Sequence, residues 1–212
     1  MDEARIVSVV QASSALLPYL DMGGLAVFAA SGALTAAKAR QTLVTAMYFA
    51  AVTGVGGGTL RDLLIGAPVF WMHASLPISI CLFTALAVWF TPYRWWPIQA
   101  LDWLDGFGLA AYAVFGAAKA LAWGISPLPA AIMGVVSASM GGIFRDLLAG
   151  VPSIVIRPEI YVTAAACAAG GYVVLIWAGV DGKLASGLAF AAGVGLRGAA
   201  IHWKLALPAY RR

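Results

Sequence analysis

Long apolar stretches alternate with short polar connections seven times along the chain. With Pro, Gly and charged residues as punctuation, the pattern predicts membrane-spanning helices over residues 16–37, 41–58, 75–91, 105–123, 128–144, 159–178 and 183–203. At about 1.5 Å rise per residue, such runs suit a hydrocarbon core about 30 Å thick. The tryptophans fit the same picture. Trp71, Trp89, Trp95, Trp96, Trp103, Trp123, Trp177 and Trp203 fall near predicted span ends or in connections, where indole keeps its ring shielded and its N–H wet.

A second pattern is a self-match at a constant offset. Residues 57–68 read GGTLRDLLIGAP and residues 141–152 read GGIFRDLLAGVP, with eight of twelve positions identical at an offset of 84. Residues 20–37 match residues 104–121 at the same offset, with nine of eighteen identical. Ala, Gly and Leu bias inflates the second match, but it does not make Arg, Asp and Pro recur in register. A unit of three spans is odd, so its second copy must enter the membrane from the opposite side. The expected fold is therefore an all-α integral membrane protein, with inverted repeats over 16–91 and 104–178 and a seventh helix over 183–203. All 212 residues then form one transmembrane domain.

Composition sharpens this reading. Hydrophobic residues make up 62% of the chain and charged residues 10%, against about 25% charged in a soluble domain, and the mean hydropathy is +0.90. The net charge of +4 does not indicate nucleic acid, because the basic residues are scattered singly rather than clustered with aromatics. They set orientation instead. A cytoplasmic C-terminus places Lys38, Arg40, Arg94, Arg157, Lys204, Arg211 and Arg212 on one side and only Arg5 and Lys183 on the other. That asymmetry predicts an outside N-terminus, and Met1-Asp2-Glu3-Ala4-Arg5 is too acidic for a signal-peptide start. Cys81 and Cys167 lie within apolar runs and read as small core residues rather than a disulfide.

The candidate chemistry sits where the repeats coincide. Gly56, Gly57 and Gly58 precede Arg61-Asp62, and Gly141 and Gly142 precede Arg145-Asp146. Such glycines favour a hinge or break in spans 2 and 5, or a close backbone approach. Thr53, Ser137 and Ser139 lie just before them, and small hydroxyls with bare carbonyls can replace part of an ion's hydration shell. Arg61 and Arg145 either snorkel to the interface or face the interior with Asp62 and Asp146. Asp21 and Asp105 read first as helix caps, and otherwise as carboxylates at a pore mouth. Lys119, whose counterpart is Thr35, reads as a snorkelling lysine or as a pore or headgroup contact. Arg197 reads as an interfacial anchor. Gly187, Ala191, Gly195 and Ala199 form a small-residue stripe suited to helix packing within or between subunits. His73 and His202 sit near span ends. No HExxH, GxSxG or Walker sequence is present, and no Cys/His cluster has metal-ligand spacing, so no enzyme, cofactor or metal site is expected.

With its doubled Gly-Gly-x-x-Arg-Asp-Leu-Leu-x-Gly-x-Pro segment, the chain resembles prokaryotic TRIC proteins, the trimeric intracellular cation channels. The resemblance covers nearly the whole chain. It implies a homotrimer in a prokaryotic inner membrane, with a pore in each protomer between the repeats, passing K⁺ and some Na⁺. Carried over by motif position, it implies hinge and pathway roles for Gly57, Gly58, Arg61 and Asp62 and for Gly141, Gly142, Arg145 and Asp146, which join Thr53, Lys119, Ser137 and Ser139 as the candidate ion pathway and gate. Membrane lipids are expected partners, with a bound lipid as a candidate ligand. The Lys-Glu-Val motif of animal members is absent, which removes the basis for animal-type phosphoinositide regulation. Related bacterial proteins with the same motifs are also catalogued as putative glycine transporters, so a transporter of glycine or another small polar solute is the alternative.

Overall fold

The computed structural model describes residues 17–97, 99–156 and 159–208. Among the described residues there are seven α-helices, α1 (Leu17–Lys38), α2 (Leu43–Leu64), α3 (Ser75–Phe90), α4 (Ala100–Ala122), α5 (Pro127–Leu148), α6 (Val162–Trp177) and α7 (Gly182–Trp203). Single 3-10 turns, Tyr93–Trp95 and Ile154–Ile156, follow α3 and α5. Among the described residues the only β-type pairing is an isolated bridge between Glu159 and Ala206. Five helices are long and apolar enough to cross a membrane, while α3 and α6 are apolar helices of 16 residues.

The helices match the expected runs in number and order, but α2 and α5 extend well past the predicted ends at 58 and 144. The stop signal is Gly66 in one and Gly150 in the other, with φ of +69° and +66°. There the Ala67 N–H donates to the Asp62 carbonyl (2.8 Å) and the Val151 N–H to the Asp146 carbonyl (3.1 Å), a left-handed glycine cap repeated at the 84-residue offset. Hence α2 and α5 run unbroken through Gly56–Gly58 and Gly141–Gly142, and the expected break in each does not form.

These glycines allow close approach instead. A Cβ on Gly57 would lie 2.0 Å from the Ser137 carbonyl oxygen, and one on Gly141 would lie 2.4 Å from the Thr53 carbonyl oxygen. The two contacts are reciprocal: Thr53 and Gly57 on α2 meet Gly141 and Ser137 on α5. Numbers rise on one helix as they fall on the other, so α2 and α5 cross antiparallel and their C-termini lie at opposite ends of the bundle.

Around this crossing, α1 packs on α2 and α3, and α4 packs on α5 and α6, while α1 also meets α4. Helix α7 rests on α4 and α6 and has no counterpart in the first half. Close packing in lipid relies on small side chains, and Ala113, Ala117, Ala118, Ala165, Ala168 and Ala169 are fully buried. Larger apolar residues such as Val44, Leu63, Phe83, Leu128 and Leu147 are exposed on the outside of the bundle. Cys81 and Cys167 are free thiols. His73 and His202 are exposed close to the ends of helices.

Candidate functional site: two buried charge clusters

Each Arg-Asp pair occupies the last turns of its helix, yet neither arginine snorkels outward. Arg61 is 1% exposed and Arg145 2%. The extra helical turns carry the pairs past the crossing, but the helices packed on either side close over them. A charge buried this deeply needs a counter-charge and filled hydrogen-bond positions.

In the first cluster, Arg61 Nε donates to Asp62 Oδ1 (2.9 Å), and Nη2 lies 2.8 Å from the same oxygen. Its Nη1 donates to the Ser137 hydroxyl across the helix crossing (3.3 Å). The guanidinium lies 5.1 Å from the centre of the Phe115 ring on α4. Lys119 reaches in from α4 with Nζ 2.8 Å from Asp62 Oδ1, over the Phe70 ring at 5.9 Å. The other carboxylate oxygen accepts the Phe70 N–H (3.1 Å), which ties the connection after α2 to the cluster. Lys119 is therefore an ion-pair partner with an 18% exposed side chain, not a snorkelling lysine.

The second cluster repeats the frame with different chemistry. Arg145 Nε donates to Asp146 Oδ1 (2.9 Å) and Nη2 lies 2.8 Å from it, while Asp146 Oδ2 accepts the Ile154 N–H (2.9 Å). Its Nη1 donates to both the Ser31 hydroxyl on α1 and Asp105 Oδ1 on α4. Ser31 is the 84-offset counterpart of Phe115. One guanidinium here faces two carboxylates. A cavity of about 360 Å³ opens beside this cluster, lined by Thr35, Lys38, Asp102, Arg145, Asp146 and Ile154, among others.

Three sequence expectations change. Asp105 lies well inside α4, which begins at Ala100, so it is a buried partner of Arg145 rather than a cap. Asp21 likewise lies within α1 and is buried, with Oδ1 lacking a hydrogen-bond partner, and it is within electrostatic reach of Arg61 and Lys119. Arg197 is 1% exposed and pairs with Glu159 (2.9 Å) over the Tyr161 ring (5.4 Å), so it is an interior group and not an interfacial anchor.

The remaining candidates fall on or near the crossing. Thr53 is fully buried with its hydroxyl unpartnered, whereas the Ser139 hydroxyl turns back to the Val135 carbonyl on its own helix (2.8 Å). Gly56 faces Phe144, Gly58 faces Phe70, and Gly142 faces the Tyr161 hydroxyl. Sequence reasoning missed Ser31, Phe115, Phe70 and Tyr161. The offset offered a signal for the first two, since it sets Ser31 opposite Phe115 within an otherwise matched segment. Among the described residues no cluster of His, Cys, Asp and Glu could hold a metal ion. The groups present can hold fixed charge of both signs, offer oxygen ligands and form breakable ion pairs.

Comparison with known proteins adds the following. A family model described as "Glycine transporter" matches twice, over residues 18–93 and 102–177. The chain is 36% identical over 207 residues to a UPF0126 membrane protein of Vibrio cholerae, covering 93% of this chain and 84% of that one. It is 37% identical over 201 residues to the UPF0126 inner membrane protein YadS of Escherichia coli, covering 92% and 96%. Among solved structures, it superposes on a TRIC trimeric intracellular cation channel orthologue from Rhodobacter sphaeroides with TM-score 0.83 and 40% identity, covering 90% of this chain and 99% of that chain. A second TRIC cation channel structure superposes with TM-score 0.81 and 26% identity, covering 92% and 97%.

Proposed function

This chain belongs to the prokaryotic TRIC family and also matches the family model described as "Glycine transporter", and on that premise we propose that it is a K⁺-permeable monovalent cation channel. The observation that carries the proposal is the pair of buried Arg-Asp clusters, one from each half, at opposite ends of the α2–α5 crossing. Duplication accounts for the recurrence; what bears on function is that both pairs are held inside the bundle rather than at its surface. A conduction path needs fixed charge and oxygen ligands at each mouth and a constriction between them.

In this reading the ion path runs through each protomer between the repeats. Cations enter the cavity beside Arg145, where Asp102 and Asp146 line the wall with Lys38 and Arg145 and the Asp105 carboxylate lies behind the guanidinium. They then meet the crossing, where the Thr53 and Ser137 hydroxyls and neighbouring carbonyls supply ligands. There the close contacts at Gly57 and Gly141 correspond to a shut state. At the far end the Lys119–Asp62 pair acts as a latch. While it is closed, Lys119 and Arg61 repel a cation; when Lys119 leaves, one of these two positive charges is withdrawn from the path.

Three copies would assemble around faces the protomer leaves open. Gly187 and Gly195 on α7, and Gly170 and Gly171 on α6, would accept a Cβ with nothing within 4 Å, so these glycines are not used for packing within the protomer. The TRIC orthologue of Rhodobacter sphaeroides is described as trimeric. The inner membrane is the proposed location, as for the YadS relative, with the N-terminus outside and the basic connections cytoplasmic.

The test is single-channel recording of purified protein in planar bilayers under asymmetric KCl. Discrete unitary currents reversing toward the K⁺ equilibrium potential are expected. A silent bilayer, together with glycine accumulation by the same preparation in liposomes, would replace the channel with alternating access.

A further inference from the structure

Helix α7 lies outside the repeat, yet it sends one charged side chain toward the second cluster. Arg197 is buried, and Gly106 on α4 makes room for it: a Cβ there would lie 2.8 Å from Arg197 Cγ. The 84-offset counterpart of Gly106 is Met22, in the half that has no seventh helix to receive. The residue next to Asp105 is therefore a glycine because it seats this arginine.

Arg197 holds the end of the α5–α6 connection from three directions. Its Nη2 donates to Glu159 Oε2 (2.9 Å), its Nη1 donates to the Ile160 carbonyl (3.4 Å), and the guanidinium lies 5.4 Å from the centre of the Tyr161 ring. A planar guanidinium can stack on a ring while donating from its edge; a lysine ammonium cannot. Tyr161 is thereby fixed with its hydroxyl against Gly142. A Cβ on Gly142 would lie 3.0 Å from that hydroxyl and 3.4 Å from Asp105 Oδ1. The hydroxyl closes no hydrogen bond there, and neither does Asp105 Oδ2. A buried donor and a buried acceptor, within electrostatic reach of each other, thus stand unjoined. Buried groups of this kind ordinarily find partners.

We propose that Arg197 is a positioning residue for the second mouth: it keeps Tyr161 as a reserve donor that takes over Asp105 when Arg145 lets go. Arg145 Nη1 holds Asp105, and a buried carboxylate stripped of its counter-charge is costly. Arg145 lines the cavity of about 360 Å³ beside the cluster, so it has room to swing away. When it does, Tyr161 donates to the stranded carboxylate in a charge-assisted bond. The ion pair at this mouth can then break without leaving Asp105 bare. At the first mouth no reserve is needed, because Asp62 keeps Arg61 when Lys119 leaves. The role in gating rests on the channel reading; the transfer of Asp105 from Arg145 to Tyr161 does not.

The experiment is a substitution cycle read by thermal unfolding of the full-length protein in detergent, paired with single-channel recording. Tyr161→Phe keeps the ring and removes the hydroxyl. In the wild-type background, where Arg145 holds Asp105, it should lower the melting temperature only slightly. In an Arg145→Met background, where Asp105 depends on Tyr161, the same change should lower it at least twice as far. With Arg197→Lys added, that excess should vanish, because the ring is no longer held in place. Equal losses in both backgrounds overturn the reserve donor, and an excess that survives Arg197→Lys overturns the positioning role. In bilayers Tyr161→Phe should lower open probability about tenfold, since release of Arg145 loses its compensating bond. Should Arg145→Met not fold, this gating result decides alone, and wild-type gating overturns the proposal. Silent wild-type protein with the thermal excess intact would remove the channel reading and leave the transfer of Asp105 standing.

Discussion

The Arg61 end and the Arg145 end are the same stretch of sequence used twice, and they differ in two side chains that matter. Where the first half has Ser31 and Thr35, the second has Phe115 and Lys119. Ser31 accepts a hydrogen bond from Arg145, while Phe115 offers Arg61 a ring face. Thr35 bonds the Ser31 carbonyl on its own helix (2.9 Å), while Lys119 crosses to Asp62. The first end therefore holds two cations on Asp62 with Asp21 within electrostatic reach, and the second holds one arginine between two carboxylates. Duplication fixed the backbone and the Arg-Asp pair; divergence at two positions on the flanking helices added a paired lysine at the first end only.

The largest expected effect tests this difference directly. Arg145→Ala strands both Asp105 and Asp146 in the interior, and removing one partner of a buried ion pair costs about 3–5 kcal/mol. Arg61→Ala leaves Asp62 still bonded to Lys119 and the Phe70 N–H, so its cost should be nearer about 1–3 kcal/mol. Thermal unfolding in detergent should therefore rank wild type above Arg61→Ala, and Arg61→Ala above Arg145→Ala. Equal losses would mean that the two ends are energetically equivalent despite their different partners.

The asymmetry also shows which parts of the molecule the sequence made legible. Seven apolar runs and a constant offset were enough for helix number, order and the repeat. The ends of α2 and α5 were misread because a hydropathy pattern treats Arg61 and Asp62 as two separate costs, whereas adjacent in the interior they largely neutralise each other. The glycines before them fit a break and a close approach equally well. What separates a break from a close approach is the partner helix, here the Ser137 and Thr53 carbonyls some 84 residues away, and no local pattern shows it. Asp105 failed for a related reason. Asp102, Trp103 and Leu104 looked like a connection, so the helix start was placed too late and an interior carboxylate passed for a cap. Arg197 sits near a span end, as an anchor would, but Glu159 and Tyr161 hold it inside through tertiary contacts.

A smaller effect on stability, but a large one on conduction, is expected from Lys119→Thr, which copies the residue of the other half. The lysine side chain is 18% exposed and Asp62 is fully buried, so losing the pair costs stability, held to about 1–2 kcal/mol because Asp62 keeps other partners. Asp62 keeps Arg61 as its counter-charge. The cationic latch is gone, however, and open probability in single-channel records should rise several-fold. Gating indistinguishable from wild type would remove the Lys119–Asp62 pair from the gate and leave it as a structural tie.

The smallest expected effect on the charge pattern comes from Phe115→Ser, which gives Arg61 the hydroxyl that Arg145 already has. A cation–π contact is worth about 0.5–1 kcal/mol at exposed sites and more when desolvated. The new hydroxyl offers an acceptor to a guanidinium whose other nitrogens already have partners. Losing a partly buried ring also costs packing, so the hydroxyl offsets only part of the loss and the informative readout is conduction rather than stability. Combined with Lys119→Thr, the substitution makes the first mouth resemble the second in both diverged positions. If side-chain divergence alone sets the character of the mouths, the double variant should lose most of the wild-type rectification recorded at equal and opposite voltages. Rectification that survives would place the asymmetry elsewhere, with α7 the first suspect, because it packs on the second half alone.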